Sequence, residues 1–179
     1  MKGVIFNILE EMVLDQCGLE RWNAILDKLS LDGVYTAGQT YPDDELFALV
    51  TEISEQTGIE AGTLVGAFGE FLFDNLARRY PAFLEKQPDL CSFLESVDGV
   101  IHLEVKKLFD NPALPRFEYE KLENGSLLMR YTSPRKLCIL AEGLIRGAAK
   151  KYQTPISITH DICCHKGDPH CDIIVEFHT

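Results

Sequence analysis

RFEYEKLENGSLLMRYTSPR, residues 116–135, carries the clearest strand signal in the chain. Phe117 and Tyr119 alternate with charged neighbours, Leu127 to Tyr131 is an apolar run, and Glu123-Asn124-Gly125 stands between them. An Asn-Gly pair supplies the positive φ angles of a tight turn, so the segment predicts a β-hairpin. A helical pattern from about Arg135 to Tyr152 follows, and then two more strand candidates, Ile156 to Thr159 and Asp172 to Phe177. The second half therefore reads β-β-α-β-β.

Upstream of the hairpin the apolar period is helical. Ile5, Ile8, Leu9, Met12 and Val13 mark a first helix that stops at Gly18, and Trp22, Ile25, Leu26 and Leu29 mark a second. After a loop from Tyr35 to Tyr41, Pro42-Asp43-Asp44 opens a third helix along Leu46, Phe47, Val50 and Ile53, ending near Thr57-Gly58. A fourth runs from about Ala61 to Pro81, with Gly62, Gly66 and Gly69 as close-packing positions. Gln87-Pro88-Asp89 breaks the chain before a fifth, on which Phe93, Leu94, Val97, Ile101, Val105 and Leu108 form a stripe flanked by His102. The pattern changes from helix to strand near Asn111-Pro112. Helices followed by an antiparallel sheet of about four strands place the chain in the α+β class.

A length of 179 residues suits one continuous domain, and 46% hydrophobic with 25% charged residues is the composition of a globular protein with a substantial core. No apolar stretch approaches the roughly 20 residues of a membrane span. The N-terminus lacks the features of a secretory signal, so a cytoplasmic location is the expectation. A net charge of −11 argues against nucleic acid or an anionic membrane as the main partner. The charge is uneven: residues 1–110 carry 8 basic and 20 acidic side chains, residues 111–179 carry 9 and 8. Arg116, Arg130, Arg135, Lys136 and Arg146 make the second part the place for an anion.

Three groups of residues carry chemistry. His102 on its apolar helix has the attributes of an axial ligand to haem iron, through one neutral imidazole nitrogen, or of a satisfied core histidine. Tyr131, Ser133 and Arg135 are two apart in an extended segment, so two hydroxyls and a forked guanidinium face one way, as haem propionates require. The plain alternative is a strand-end tyrosine, a capping serine and a surface ion pair. Cys138, His160, Cys163 and Cys171 offer a three-sulfur, one-nitrogen set suited to structural zinc, with Cys164, His165 and His170 as substitute ligands. A cluster of reduced thiols is the alternative there. Cys17 and Cys91 stand apart and are expected to be small buried residues. No glycine-rich phosphate loop, Ser/His/Asp arrangement or spaced carboxylate pair is present, which leaves no basis for a hydrolase or nucleotide enzyme, and the expectation is a protein that is not an enzyme.

His102, Pro115 and Tyr131-x-Ser133-x-Arg135, after a first helix that begins Met-Lys-Gly-Val-Ile-Phe, together resemble the H-NOX family of haem nitric oxide/oxygen binding domains. The resemblance spans essentially the whole chain. It implies the H-NOX fold, with a helical subdomain of about residues 1–60 and a subdomain of about 61–179 holding the histidine helix and the sheet. It makes His102 the proximal ligand of a b-type haem, Tyr131, Ser133 and Arg135 its propionate contacts, and Pro115 the residue that presses on the porphyrin. Ile5, Leu9, Leu140 and Leu144 fall where the family lines the distal side, with a further residue from the fourth helix near Leu72.

The oxygen-binding branch of the family has a distal tyrosine where this chain has Leu140, and Asn75 is the amide to check as a substitute donor. Without a donor dioxygen is not expected to bind, whereas nitric oxide and carbon monoxide are. Some bacterial members carry a Cys3His zinc site that Cys138, His160, Cys163 and Cys171 resemble. Stand-alone members regulate a separate histidine kinase or diguanylate cyclase. Two other readings use the same residues: a zinc/thiol redox sensor built on the cysteines, and a haem-free small-molecule module resembling V4R domains.

Overall fold

A computed structural model describes residues 1–108 and 112–178. Of the expected boundary at Asn111-Pro112, Asn111 lies outside the described residues. Four helices come first: α1 (Gly3–Cys17), α2 (Leu19–Leu29), α3 (Asp43–Thr57) and α4 (Ala61–Arg79). Gly18, at φ 81°, ends α1 and donates its N–H to Leu14 O at 3.1 Å. The carboxylate of Glu60 caps α4 by accepting from Thr63 N–H at 2.8 Å. A short α5 (Ala82–Glu85) leads to α6 (Leu90–Ser96), whose first turn is capped by Asp89.

The fifth helix of the sequence pattern is interrupted. α6 runs into a π-helical turn over Val97–Ile101 and only then into α7 (His102–Leu108). The apolar stripe carries on through the turn, which is why periodicity alone predicts one helix. The widened turn stands immediately before His102, and π-bulges are frequent at functional sites.

The sheet has four antiparallel strands in the order β1-β2-β4-β3, namely β1 (Arg116–Lys121), β2 (Leu127–Thr132), β3 (Ile156–Thr159) and β4 (Cys171–Phe177). Leu127, Met129 and Tyr131 alternate inward from β2, as do Cys171, Ile173 and Val175 from β4. The register pairs Phe117 with Tyr131 and Tyr131 with Cys171. Between β2 and β3 lies α8 (Cys138–Lys151), which begins three residues later than expected because Lys136 takes the left-handed conformation at φ 52°. Cys17 is exposed at the end of α1 and Cys91 is half-buried, so the expectation of two small buried cysteines fails: neither helix turns that face inward.

Two cores form. One packs α1, α2 and α3 against Leu64, Phe68 and Leu72 of α4; the other packs α6, α8 and the sheet against Phe73 and Ala77 of the same helix. α4 is thus the wall common to both, and it lies backbone to backbone on α8. A Cβ on Gly143 would sit 2.3 Å from Gly66 O and 2.8 Å from Gly69 Cα, both main-chain atoms that cannot swing aside. Gly143→Ala gains about 1 kcal/mol of helix propensity but forces the helices apart at about 3 kcal/mol. A net loss of about 2 kcal/mol is expected in urea unfolding, and an unchanged midpoint would show that the two helices do not need this contact. Among the described residues, no helix is long and apolar enough to cross a membrane.

Candidate functional site

A cavity of about 350 Å³ lies where α1, α4, α7, α8 and the sheet meet. His102 and Pro115 line it, as do Ile5, Leu72, Leu140 and Leu144. Tyr131, Ser133 and Arg135 also line it, so residues from the first helix to the turn before α8 converge on one space. Leu9 does not line it. One turn along α1 from Ile5 on the same face, Leu9 is fully buried in the helical core. Asn75 does not line it either: its Nδ2 donates to Phe71 O at 3.1 Å and its Oδ1 accepts from Arg78 Nη2 at 3.1 Å. Two polar residues that the sequence analysis passed over, Thr40 and Tyr80, do line the cavity. Tyr80 stands just after α4 and only the chain path brings its ring there.

His102 is nearly buried, with 12% of its side chain exposed. Nδ1 lies 3.3 Å from Asp98 Oδ1, one helical turn earlier. A carboxylate only accepts, so Nδ1 carries the proton and Nε2 keeps its lone pair. Burial pulls the imidazole below its ordinary pKa, against the opposing pull of Asp98, which keeps the ring neutral and able to bind a metal.

Tyr131 is 2% exposed, and burial raises its hydroxyl above the usual value. The hydroxyl oxygen accepts from Leu137 N–H at 3.0 Å, while Ser133 Oγ accepts from Arg135 N–H at 3.2 Å and so fixes the turn into α8. Arg135 reaches across to the helical half. Nε and Nη2 grip Asp43 at 2.5 and 2.9 Å, and Nη1 donates to Ala113 O. Among the described residues, three of the five guanidinium N–H groups are committed in this way, and the other two could serve an anion. Asp43 also takes the Met1 ammonium at 2.6 Å. Burial pushes the Asp43 carboxyl up, but Arg135 and the ammonium outweigh it and hold the group below the usual carboxylate range. In the sequence Asp43 is only a helix-opening acid; its partner 92 residues away is supplied by the fold.

The cysteines meet beside this cavity. Sγ atoms of Cys138, Cys163, Cys164 and Cys171 all lie within 4.8 Å of one another, with Cys138 to Cys163 at 3.9 Å and Cys164 to Cys171 at 3.3 Å. Tetrahedral zinc with bonds of about 2.3 Å needs sulfur edges of about 3.8 Å, so the spacing fits that ion. Burial pushes the Cys138 thiol up and raises Cys171 to about 12, and a divalent cation is the charge that would hold them as thiolates. Cys164 stands in the group and His160 does not; His160 Nδ1 lies 2.6 Å from Glu142 Oε1 on α8. Its Nε2 is buried with no hydrogen-bond partner among the described residues. His165 is held by Lys136 O at 2.8 Å, and His170 leans 3.4 Å from Asp172.

The family model described as Haem-NO-binding matches residues 2–160. The chain belongs to the H-NOX family. An H-NOX protein from Shewanella oneidensis, solved in the Fe(II)NO ligation state, is 42% identical, covers 100% of both chains and superposes with a TM-score of 0.95. An unliganded Fe(II) H-NOX protein from K. algicida is 28% identical over 100% of this chain and 97% of its own, with a TM-score of 0.91. Soluble guanylate cyclase gcy-35 of Caenorhabditis elegans is 27% identical over 164 residues, 87% of this chain but only 24% of the cyclase. The chain thus spans about a quarter of that relative. H-NOX domains are haem-based sensors of nitric oxide, carbon monoxide and dioxygen, not catalysts, and the helical bundle with its four-stranded antiparallel sheet is the H-NOX fold.

Proposed function

We propose that this H-NOX domain holds a b-type haem on His102 and reports nitric oxide to a separate histidine kinase or diguanylate cyclase. The observation that carries the reading is His102 itself, an imidazole bonded through Nδ1 to Asp98 and, among the described residues, with no hydrogen-bond partner on Nε2, on the wall of a cavity lined mainly by hydrocarbon. Bound haem, held by His102, would supply a ferrous iron able to bind nitric oxide at the expense of its bond to His102.

The chain's own residues do the rest. Arg135 offers its two uncommitted N–H groups, with Tyr131 and Ser133, to the propionates. Pro115 bears on the ring from the wall of the cavity, and Ile5, Leu140 and Leu144 exclude water. When His102 lets go, α7 is free to shift, and the parts of about residues 1–60 and 61–179 turn against each other. Two separate cores sharing α4, and the Asp43–Arg135 clamp between them, support that motion. The guanylate cyclase relative, in which the matched segment is 24% of the chain, supports a module that acts on a partner activity.

Leu140 on the cavity wall and Asn75 turned away from it favour nitric oxide over dioxygen. The ferrous protein is expected to keep its unliganded absorption spectrum in air, to show the spectrum of haem without an axial histidine under nitric oxide, and to retain the histidine under carbon monoxide. A stable complex in air would overturn the selectivity, with Tyr80→Phe testing whether that hydroxyl is the donor. Protein that stays colourless with added haem would overturn the haem reading. Partner regulation must track release, since a ligand shifts an equilibrium only by its differential affinity; equal output with carbon monoxide would refute the mechanism.

We also propose one zinc ion at Cys138, Cys163, Cys164 and Cys171, with His160 Nε2 the donor that competes with Cys164 for the fourth position. The sulfur spacing and the orphaned, carboxylate-anchored imidazole support it. A zinc/thiol redox response would use the same atoms.

A further inference from the structure

We propose that Asp98 is the positioning residue that sets the strength of the bond between His102 and iron, as an anion fastened to the edge strand β1. The inference rests on the haem reading above and goes beyond it to the regulation of histidine release.

Asp98 is the second residue of the π-helical turn and His102 is the first residue after it. Three hydrogen bonds meet at Asp98. Its Oδ1 accepts from His102 Nδ1 at 3.3 Å and from Phe117 N–H at 3.3 Å, and its own N–H donates to the Tyr119 hydroxyl at 3.2 Å. Phe117 and Tyr119 belong to β1, which is an edge strand with β2 on one side only. An edge strand presents outward N–H groups that need acceptors, and Asp98 uses one of them. The carboxylate is therefore held from the sheet side as well as from its own turn, and it cannot swing away from the imidazole as a free surface acid would.

Such an anchored carboxylate does two things to a metal-binding imidazole. It fixes the tautomer and the ring plane, and it pushes electron density towards Nε2, which makes the ring a stronger donor. A stronger donor holds iron more tightly and yields less readily when a gas binds on the far side. The fraction of histidine released under nitric oxide is then a property written into Asp98, and β1 is the element that keeps Asp98 in place. Neutral acceptors such as a backbone carbonyl would orient the ring without this push.

The test uses the full chain loaded with haem. In Asp98→Asn the acceptor loses its charge at nearly constant shape. The iron–histidine stretching band of the ferrous protein, read by resonance Raman, is expected to move to lower frequency. The ratio of histidine-free to histidine-bound haem under nitric oxide is expected to rise about tenfold, the lower end of what loss of such a partner costs a metal site. Asp98→Glu restores the charge and should bring the band back towards its original position. Tyr119→Phe loosens the turn without touching the carboxylate and should move the band less. An unmoved band in Asp98→Asn, an Asp98→Glu protein that behaves as Asp98→Asn does, or an equal shift in Tyr119→Phe would each overturn the proposal while leaving haem binding intact. Should the unmodified protein show no iron–histidine band because it takes up no haem, the haem reading falls, and this inference with it.

Discussion

His102→Gly is expected to purify without haem and to regain it when imidazole is supplied in the medium. Among the described residues no other histidine lines the cavity: His160 is bonded to Glu142, His165 to Lys136 O and His178 to Ser157, and His170 lies 3.4 Å from Asp172. The Tyr131 hydroxyl already accepts from Leu137 N–H and is kept protonated by burial, which makes it a poor replacement ligand. Glycine leaves a space shaped for the lost ring, and free imidazole fills it without a covalent link to α7. Gas binding would then be restored while the coupling to α7 is cut, so the rescued protein should bind nitric oxide and fail to regulate its partner. Haem stoichiometry and the Soret band measure the first effect, and the partner's activity measures the second. Full haem content in His102→Gly without imidazole would show that another residue holds the iron.

The second large effect concerns the thiol cluster. Cys138 stands at the start of α8, Cys163 and Cys164 in the loop before β4, and Cys171 at the first position of β4. An ion bound by all four would cross-link helix, loop and sheet. Its removal by a chelator, or Cys171→Ala, is expected to cost on the order of 3 kcal/mol, comparable to loss of a native cross-link. Metal analysis should find one zinc per chain in the unmodified protein. Cys164→Ser alone should retain much of it, because His160 Nε2 is buried and unpartnered nearby, whereas Cys164→Ser combined with His160→Ala should lose it. Because Tyr131 faces Cys171 across the β2–β4 register, zinc loss should also loosen the propionate end of the haem cavity. Stability unchanged by chelation, with no metal found, would refute the cross-link.

Much of this architecture was legible without coordinates because its signals are local. An apolar residue every three or four positions makes a helix face, Gly18 and Gly58 stop helices by accepting positive φ, and Asn124-Gly125 turns a chain between two strands. Spacing put Tyr131, Ser133 and Arg135 on one side of an extended segment, but it was the resemblance of the triplet and His102 to the H-NOX family that singled them out; all four line the cavity. Contacts between distant segments were not legible. The Asp43–Arg135 clamp joins residues 92 apart, and nothing near Asp43 distinguishes it from any acid opening a helix. The π-helical turn before His102 is invisible to a 3.6-residue period, because its hydrogen bonds to β1 come from another layer of the fold. That Cys164 joins the other three thiols, and that Glu142 on α8 takes His160 Nδ1, are likewise set by segments that folding brings together. The sequence by itself determined which segments are helices and strands and which residue types carry chemistry, since those depend on neighbours along the chain. Only the tertiary structure decided what each polar atom spends its hydrogen bonds on, because that choice is made among groups that folding brings together from far apart.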